Sequence, residues 1–372
     1  MQIINATSWT VGFTVAGRAD GSEALVVIIK GAFTIPADGG QPQPVPVSPP
    51  LCATDVYEGE PGLSPPVYEC DFAAHKERCD VVVTGIAHAP GGVAVLRFPV
   101  HLHVGEHIDK RFWIIGDRIW KKGWFGIAAS DPQPVSSLPL SYASAFGGSD
   151  HSHADPSKHG TFLANPLGRG WHSNRTRGAL AGKPLPNTES DSQPIKQPQD
   201  MPAPMGLGPI GRGWQPRIAL AGTYDKSWLD DGFPLLPPDF QDEHYQCAPP
   251  DQQMPHPVGG EPITLGNLTP SGHLTTAVPT GTIPVLFMLH DGTDVTAEAV
   301  LDTIHIDAVA LHMTTVWRTM LPLPRGIFAV HKTLVGTMPP SWHRARRLGK
   351  TWYANAAALI DAKRSAGEGA DA

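Results

Sequence analysis

Val93-Ala94-Val95-Leu96-Arg97-Phe98-Pro99-Val100-His101-Leu102-His103-Val104 decides the fold class of this chain. Val93, Val95, Arg97, Pro99, His101 and His103 fall on one face of an extended strand. Ala94, Leu96, Phe98, Val100, Leu102 and Val104 fall on the other. A period of two marks a strand with one face on a core, so the second set is expected to point inward. Lys110 to Trp120 continues as a hairpin whose second arm begins after Gly116-Asp117-Arg118.

The same signals recur outward from this stretch. Ile3 to Val15 reads as one strand with Trp9, Val11 and Phe13 alternating, and Asp20-Gly21 as a hairpin turn. Leu25 to Ile35 is apolar enough to be buried on both faces and is ended by Pro36. Gln41 to Pro50 carries Pro at positions 42, 44, 46, 49 and 50, which suits extended chain outside a central strand. Cys79 to His88 is another strand, turned by Pro90-Gly91-Gly92. Pro262–Leu265, Leu274–Val278, Ile283–Leu289, Val295–His305 and Val309–Met320 resume the pattern late in the chain. Thr351 to Lys363 has the best helical spacing, and Arg364 to Ala372 is expected to fray. With 39 Gly and 39 Pro in 372 residues, a helical protein is excluded. The expected fold is mainly β: an antiparallel β-sandwich or barrel-like core with a long Gly/Pro-rich irregular segment and a short C-terminal helix. Its units are an N-terminal β unit (1–135), a Gly/Pro/aromatic-rich region (136–261), C-terminal strands completing the core (262–340), and a basic loop, helix and frayed tail (341–372).

Composition narrows the function. A net charge of −7 does not suit a nucleic-acid binder. The basic cluster His343-Arg344-Ala345-Arg346-Arg347 with Lys350 reads as a solvated loop before a helix. Met1 to Asn5 shows neither a basic nor an apolar leader region, and the longest aliphatic run, Ala24 to Ile29, is far too short to cross a bilayer. The expectation is a cytoplasmic protein with no membrane partner. Cys52, Cys70, Cys79 and Cys247 lack zinc spacing and read as buried free thiols, although Cys70 and Cys79 could meet across neighbouring strands.

From Leu138 to Glu261, Gly and Pro recur every few residues with Trp, Tyr, Phe and Arg between them. A disordered linker would lack the aromatics. The segment is expected to be ordered and irregular, pinned by aromatic rings and by Arg and Asp bonds to backbone. Gly168-Arg169-Gly170-Trp171 returns as Gly211-Arg212-Gly213-Trp214, and Ala179-Leu180-Ala181-Gly182 as Ala219-Leu220-Ala221-Gly222, which suggests two similar turn-plus-strand units. Thr188 to Pro204, polar and Pro-rich, is the expected mobile loop.

No nucleophile elbow, His-Glu-x-x-His or phosphate-binding loop is present. His101-x-His103 with His107, and His151-x-His153 with Asp155 and His159, have no metal signature beyond proximity, so no metal or other cofactor is expected. Asp225, Asp239, Asp251 and Glu261 could supply a carboxylate pair for glycoside hydrolysis; acids beside turns more often accept backbone N–H groups. Trp171, Trp214, Tyr224 and Trp228 could line a sugar or peptide groove, or plug the irregular segment against a sheet. Arg169, Arg212 and Arg217 could pair with those acids or grip an acidic ligand.

Several motifs together carry a resemblance. They are Gly116-Asp117-Arg118-x-Trp120, Pro139-Leu140-Ser141-Tyr142 with Ala145-Phe146-Gly147-Gly148, Asn165-Pro166-x-Gly168-Arg169-Gly170, Trp214-x-Pro216-Arg217, Ala221-Gly222-Thr223-Tyr224-Asp225-x-x-Trp228, and Ala248-Pro249-x-Asp251-Gln252-Gln253. Over the span from the N-terminal strand to Trp317-Arg318 the chain resembles a bacterial family, domain of unknown function 2169, linked to type VI secretion. Some of its members are chaperones or adaptors that load a toxic effector onto the spike of the secretion machine. The resemblance implies a non-catalytic adaptor in the cytoplasm of a Gram-negative bacterium, with a secreted effector and spike proteins as partners. It supplies no catalytic residues and stops short of Pro340 to Ala372. Trp171, Arg212, Trp214, Arg217, Tyr224 and Trp228 are the candidate partner-binding residues. The alternatives are a β-sandwich hydrolase acting on carbohydrate, and a structural subunit of a phage-tail-like assembly, which would form a symmetric oligomer alone.

Overall fold

A computed structural model describes residues 1–18, 20–124, 126–279, 281–324 and 326–368. Its principal strands are β1 (Gln2–Asn5), β2 (Thr10–Gly17), β3 (Glu23–Thr34), β4 (Cys79–Thr84), β5 (Arg97–Val104), β6 (Ile108–Ile115), β7 (Pro262–Gly266), β8 (His273–Ala277), β9 (Thr282–Leu289), β10 (Asp294–Asp307), β11 (His312–Pro322) and β12 (Val330–Val335). Helices α1 (Pro340–Arg347) and α2 (Ala356–Glu368) follow. The chain is mainly β, with few helices and a short one at its end.

The main sheet runs β1-β12-β9-β10-β11-β3-β2 and curls as half a barrel. Its centre is β10, long enough to pair antiparallel with β9 through Val300 and then parallel with β4 from Thr303. The second sheet places the short strand Thr188–Glu189 beside β6, then β5, β7 and β8. Phe98, Val100, Leu102 and Val104 of β5 face inward, as their alternation requires, and meet Leu25, Val27, Ile29, Ile304, Ile306 and Trp317 of the main sheet. Trp317 also stacks on Trp9, with ring centroids 4.8 Å apart. Gly31 makes room for that ring, because a Cβ there would lie 2.9 Å from it.

Several boundaries differ from the sequence expectation. Ile3–Val15 is two strands, because the Asn5 side chain accepts from the Thr7 amide at 2.9 Å and donates to the Trp9 carbonyl at 2.7 Å, turning the chain between them. Cys79–His88 breaks at Gly85 into β4 and Ile86–His88, which pair with different strands. Leu96 precedes β5 and is exposed. The Lys110–Trp120 hairpin does not form: β6 folds back on β5, and Trp120–Lys122 pairs with Ile127–Ala129. Thr188–Pro204 is not a free loop, since Thr188 and Glu189 are buried against β6 and Ile195 packs with Trp120, Phe146, Leu180 and Leu185. The basic cluster at 343–347 is the body of α1 and not a loop: Pro340 starts this helix, which seats Trp342 on Met288 and Leu334. The terminal helix begins at Ala356 instead of Thr351, and tail residues 369–372 lie outside the described residues. All four cysteines are free thiols; Cys79 and Cys247 are buried, Cys52 and Cys70 partly so.

Leu96 and Leu102 separate pattern from packing. Leu102→Ala is expected to lower the unfolding free energy by about 2–5 kcal/mol, as a core truncation. Leu96→Ala is expected to change it by under about 0.5 kcal/mol, as an exposed position does. Urea denaturation of both variants checks the difference.

Candidate functional site

The outer face of the main sheet is charged, and irregular chain covers it. Lys30 on β3, Asp80 on β4, Asp302 on β10 and Arg318 on β11 are all buried there. Lys30 Nζ reaches Asp71 at 2.8 Å, and Asp71 also accepts from Tyr68 Oη at 2.7 Å and the Cys52 amide at 2.6 Å. Arg318 pairs with Asp302 and donates to the Asp71 carbonyl. Lys76 Nζ lies 2.7 Å from Asp80, which accepts further bonds from Gln246 and the Cys247 amide, both at 2.8 Å. These contacts bind segments 52–76 and 246–247 to the sheet. Charges without such partners could not remain ionised out of water.

Arg217 and Arg212 extend the same layer. Arg217 is 2% exposed and donates to Glu69 at 2.5 Å and to the carbonyls of Ile210 and His244 at 2.7 and 3.0 Å. Arg212 reaches Asp55 at 3.0 Å and Glu69 at 2.9 Å. Trp214 is buried edge-on against Tyr142. Trp171 packs beside Phe146 and Leu180, over Gly160. Four of the six candidate residues therefore fasten the irregular segment from within. The two copies of the near-repeat are alike in one respect. Arg177–Leu180 and Arg217–Leu220 are each a single helical turn, not a strand, and each is closed by a glycine, Gly182 or Gly222, at φ +82°.

Tyr224 and Trp228 stand apart, on a surface loop. The Trp228 amide donates to Asp225 and its indole N–H to the Leu235 carbonyl, both at 2.9 Å. Tyr224 and Phe233 meet its ring edge to face. With Trp228 as hub, Tyr224, Leu229, Phe233 and Leu235 are turned to solvent, 53%, 62%, 66% and 47% exposed. Contiguous apolar side chains on a surface mark a docking site. Asp225, Asp230 and Asp231 rim the loop and are exposed. Leu235 lies against Gly21 in the β2–β3 turn. The sequence signalled Tyr224 and Trp228; it did not single out Leu229, Phe233 or Leu235, whose exposure only packing decides.

The four carboxylates considered for hydrolysis each serve a local turn or tie. Asp225 accepts from Trp228, Asp239 from Thr223, Asp251 from Lys110, and Glu261 from the Val258 and Gly259 amides. The Thr223 amide and hydroxyl hold the Asp239 carboxyl below its usual range, opposite to the shift a general acid needs. His101 pairs with Asp109 at 2.6 Å, and His159 with the His153 carbonyl at 2.8 Å. Among the described residues no three His, Cys, Asp or Glu side chains are grouped to hold a metal ion. Burial pushes the Cys79 and Cys247 thiols well above their usual range, which keeps them protonated.

The other motif residues act as ties between side chain and backbone. Asn165 donates to the carbonyls of Tyr142 and Phe146, Arg169 to Ala143, and Gln252 to Val81 and Leu207. The family model described as an uncharacterized protein conserved in bacteria (DUF2169) matches residues 20–318, which include these motifs. No curated protein and no solved structure matches the chain.

Two outcomes are expected. Arg217→Ala leaves the Ile210 and His244 carbonyls without their donor and Glu69 with Arg212 alone, and should cost about 3–5 kcal/mol, read by denaturant unfolding. His305, partly buried against Tyr68 and beside Thr84, has its pKa lowered by burial to about 4. The folded state binds this proton less readily than the unfolded chain, so stability is intact above about pH 6.5 and falls as pH drops toward 4. His305→Gln should remove roughly 3 kcal/mol of that decline, seen as a flatter melting temperature between pH 7 and 4.

Proposed function

We infer that this chain, which belongs to the bacterial family DUF2169, is a non-catalytic adaptor that holds a secreted effector in the cytoplasm and helps load it onto the spike of a type VI secretion system. The observation that carries the reading is the 224–235 loop. Apolar side chains are held out to solvent by a hub tryptophan, on a base fixed by buried ion pairs. A chaperone must grip a partner segment without chemistry and release it, and a rigid apolar patch with an acidic rim suits an apolar segment flanked by Lys or Arg. The loop adjoins the β2–β3 turn, and β2 is the last strand of the main sheet. The strand, Thr10-Val11-Gly12-Phe13-Thr14-Val15-Ala16-Gly17, has no charge and leaves Phe13 and Val15 exposed, so an extended partner segment has an open edge to add to.

The test is co-purification of the tagged protein from its own bacterium, with mass spectrometry of the eluate. The wild type is expected to bring down one stoichiometric partner carrying a toxin or spike domain. A Leu229→Asp/Phe233→Asp variant should lose it while melting within a few degrees of the wild type. Equal recovery by both proteins would remove the loop from the interface. A partnerless wild type would remove the adaptor reading.

A further inference from the structure

At the opposite edge of the main sheet from β2, α1 and the chain after it leave a cleft of about 420 Å³ against β1, β9 and β12. Trp342 and Trp352 form apolar walls, and Ile4, Met288 and Leu289 supply further apolar lining. The cleft is built: Trp352 is fixed by its indole N–H bond to Ser341 Oγ at 3.1 Å, and Arg346 by a two-point bond to Asp294 at 2.7 and 2.5 Å. Its polar lining carries the cations Lys332, Arg346 and Lys350 beside the exposed imidazole of His331, and no Asp or Glu lines it. Asp294 already neutralises Arg346. Lys332 and Lys350 have no ion-pair partner among the described residues.

We propose that this cleft binds an acidic peptide segment of a partner protein, with carboxylates at Lys332 and Lys350 and an apolar side chain between Trp342 and Trp352. A concave site that joins apolar walls to a few convergent charges is how proteins fix a ligand's orientation. The two free ammonium groups suit separate carboxylates along a chain. A polyphosphate backbone would need a denser basic field, and the net charge of −7 opposes it. The cleft lies largely outside residues 20–318, so it is a feature of this chain beyond the family match, independent of the 224–235 loop.

Isothermal titration calorimetry on the full chain tests it, with the blocked peptide acetyl-Asp-Leu-Glu-Phe-Glu-amide as probe at low salt. Saturable one-to-one binding is expected, weakened roughly tenfold or more by Lys332→Glu/Lys350→Glu and by raised salt. Lys121→Glu/Lys122→Glu, which makes the same charge change on exposed residues outside the cleft, should bind like the wild type. Lys350→Gln, at an exposed position, gives a second reading if the double variant folds poorly, and should weaken binding in the same direction. Absence of binding, or equal binding by the cleft variants, overturns the proposal. Acetate or inorganic phosphate binding as tightly as the peptide would overturn it in favour of a free small anion. Tighter binding of a single-stranded oligonucleotide would overturn it in favour of nucleic acid.

Discussion

The Glu69 carboxylate, almost sealed from solvent, takes a hydrogen bond from Arg217 and a second ion pair from Arg212, whose own hydrogen bonds go to Asp55. Around it, Lys30 with Asp71, Lys76 with Asp80 and Arg318 with Asp302 repeat the arrangement across the outer face of one sheet. Most folds press a sheet of this size against another apolar layer. Here the inner face is apolar, while the outer face sets these ion pairs among a smaller apolar cluster of Val26, Ile28 and Val316 and is covered by chain that has almost no regular structure. Apolar residues would hold that chain as firmly and less selectively. Charges of fixed position accept only the partner that brings the opposite sign to the same place. The ionic layer therefore sets the register of the irregular segment on the sheet.

Within that segment, side chains replace the backbone ladder that helices and strands would supply. Asn165 and Arg169 donate to carbonyls of the turn at 142–146, and Gln252 ties Val81 of β4 to the carbonyl of Leu207. Buried carbonyls without donors are costly, so the motifs that look like a family signature are also a hydrogen-bonding requirement. This firm base lets the 224–235 loop hold its apolar side chains outward. A loop free to collapse would bury them.

Part of this was legible in the residues. The period-two run from Phe98 to Val104, the turn at Asp20-Gly21 and the apolar stretch 25–35 dictate strands because no other backbone buries those side chains together. The aromatics between the Gly and Pro residues indicated ordered chain. The charge inside each apolar run, Lys30 among isoleucines and Asp302 after Val300-Leu301, was an available sign of a buried ionic face; its partners lie at distant positions, such as Asp71 and Arg318, and distance along the chain hides pairing. Leu96 continues the alternation into a position beyond the strand, since a pattern does not mark where the neighbouring strand ends.

The sequence alone determined that this chain is mainly β, that its middle is irregular yet ordered, and that a helix closes it, because periodicity and the backbone limits of Gly and Pro are local properties. Tertiary structure alone decided which tryptophans and arginines became interior ties and which reached the surface. Arg217 and Tyr224 sit seven residues apart in equivalent turn-rich sequence; one is sealed against Glu69 and the other is half in solvent. Burial depends on which distant segment folds over a residue, and no local rule carries that information.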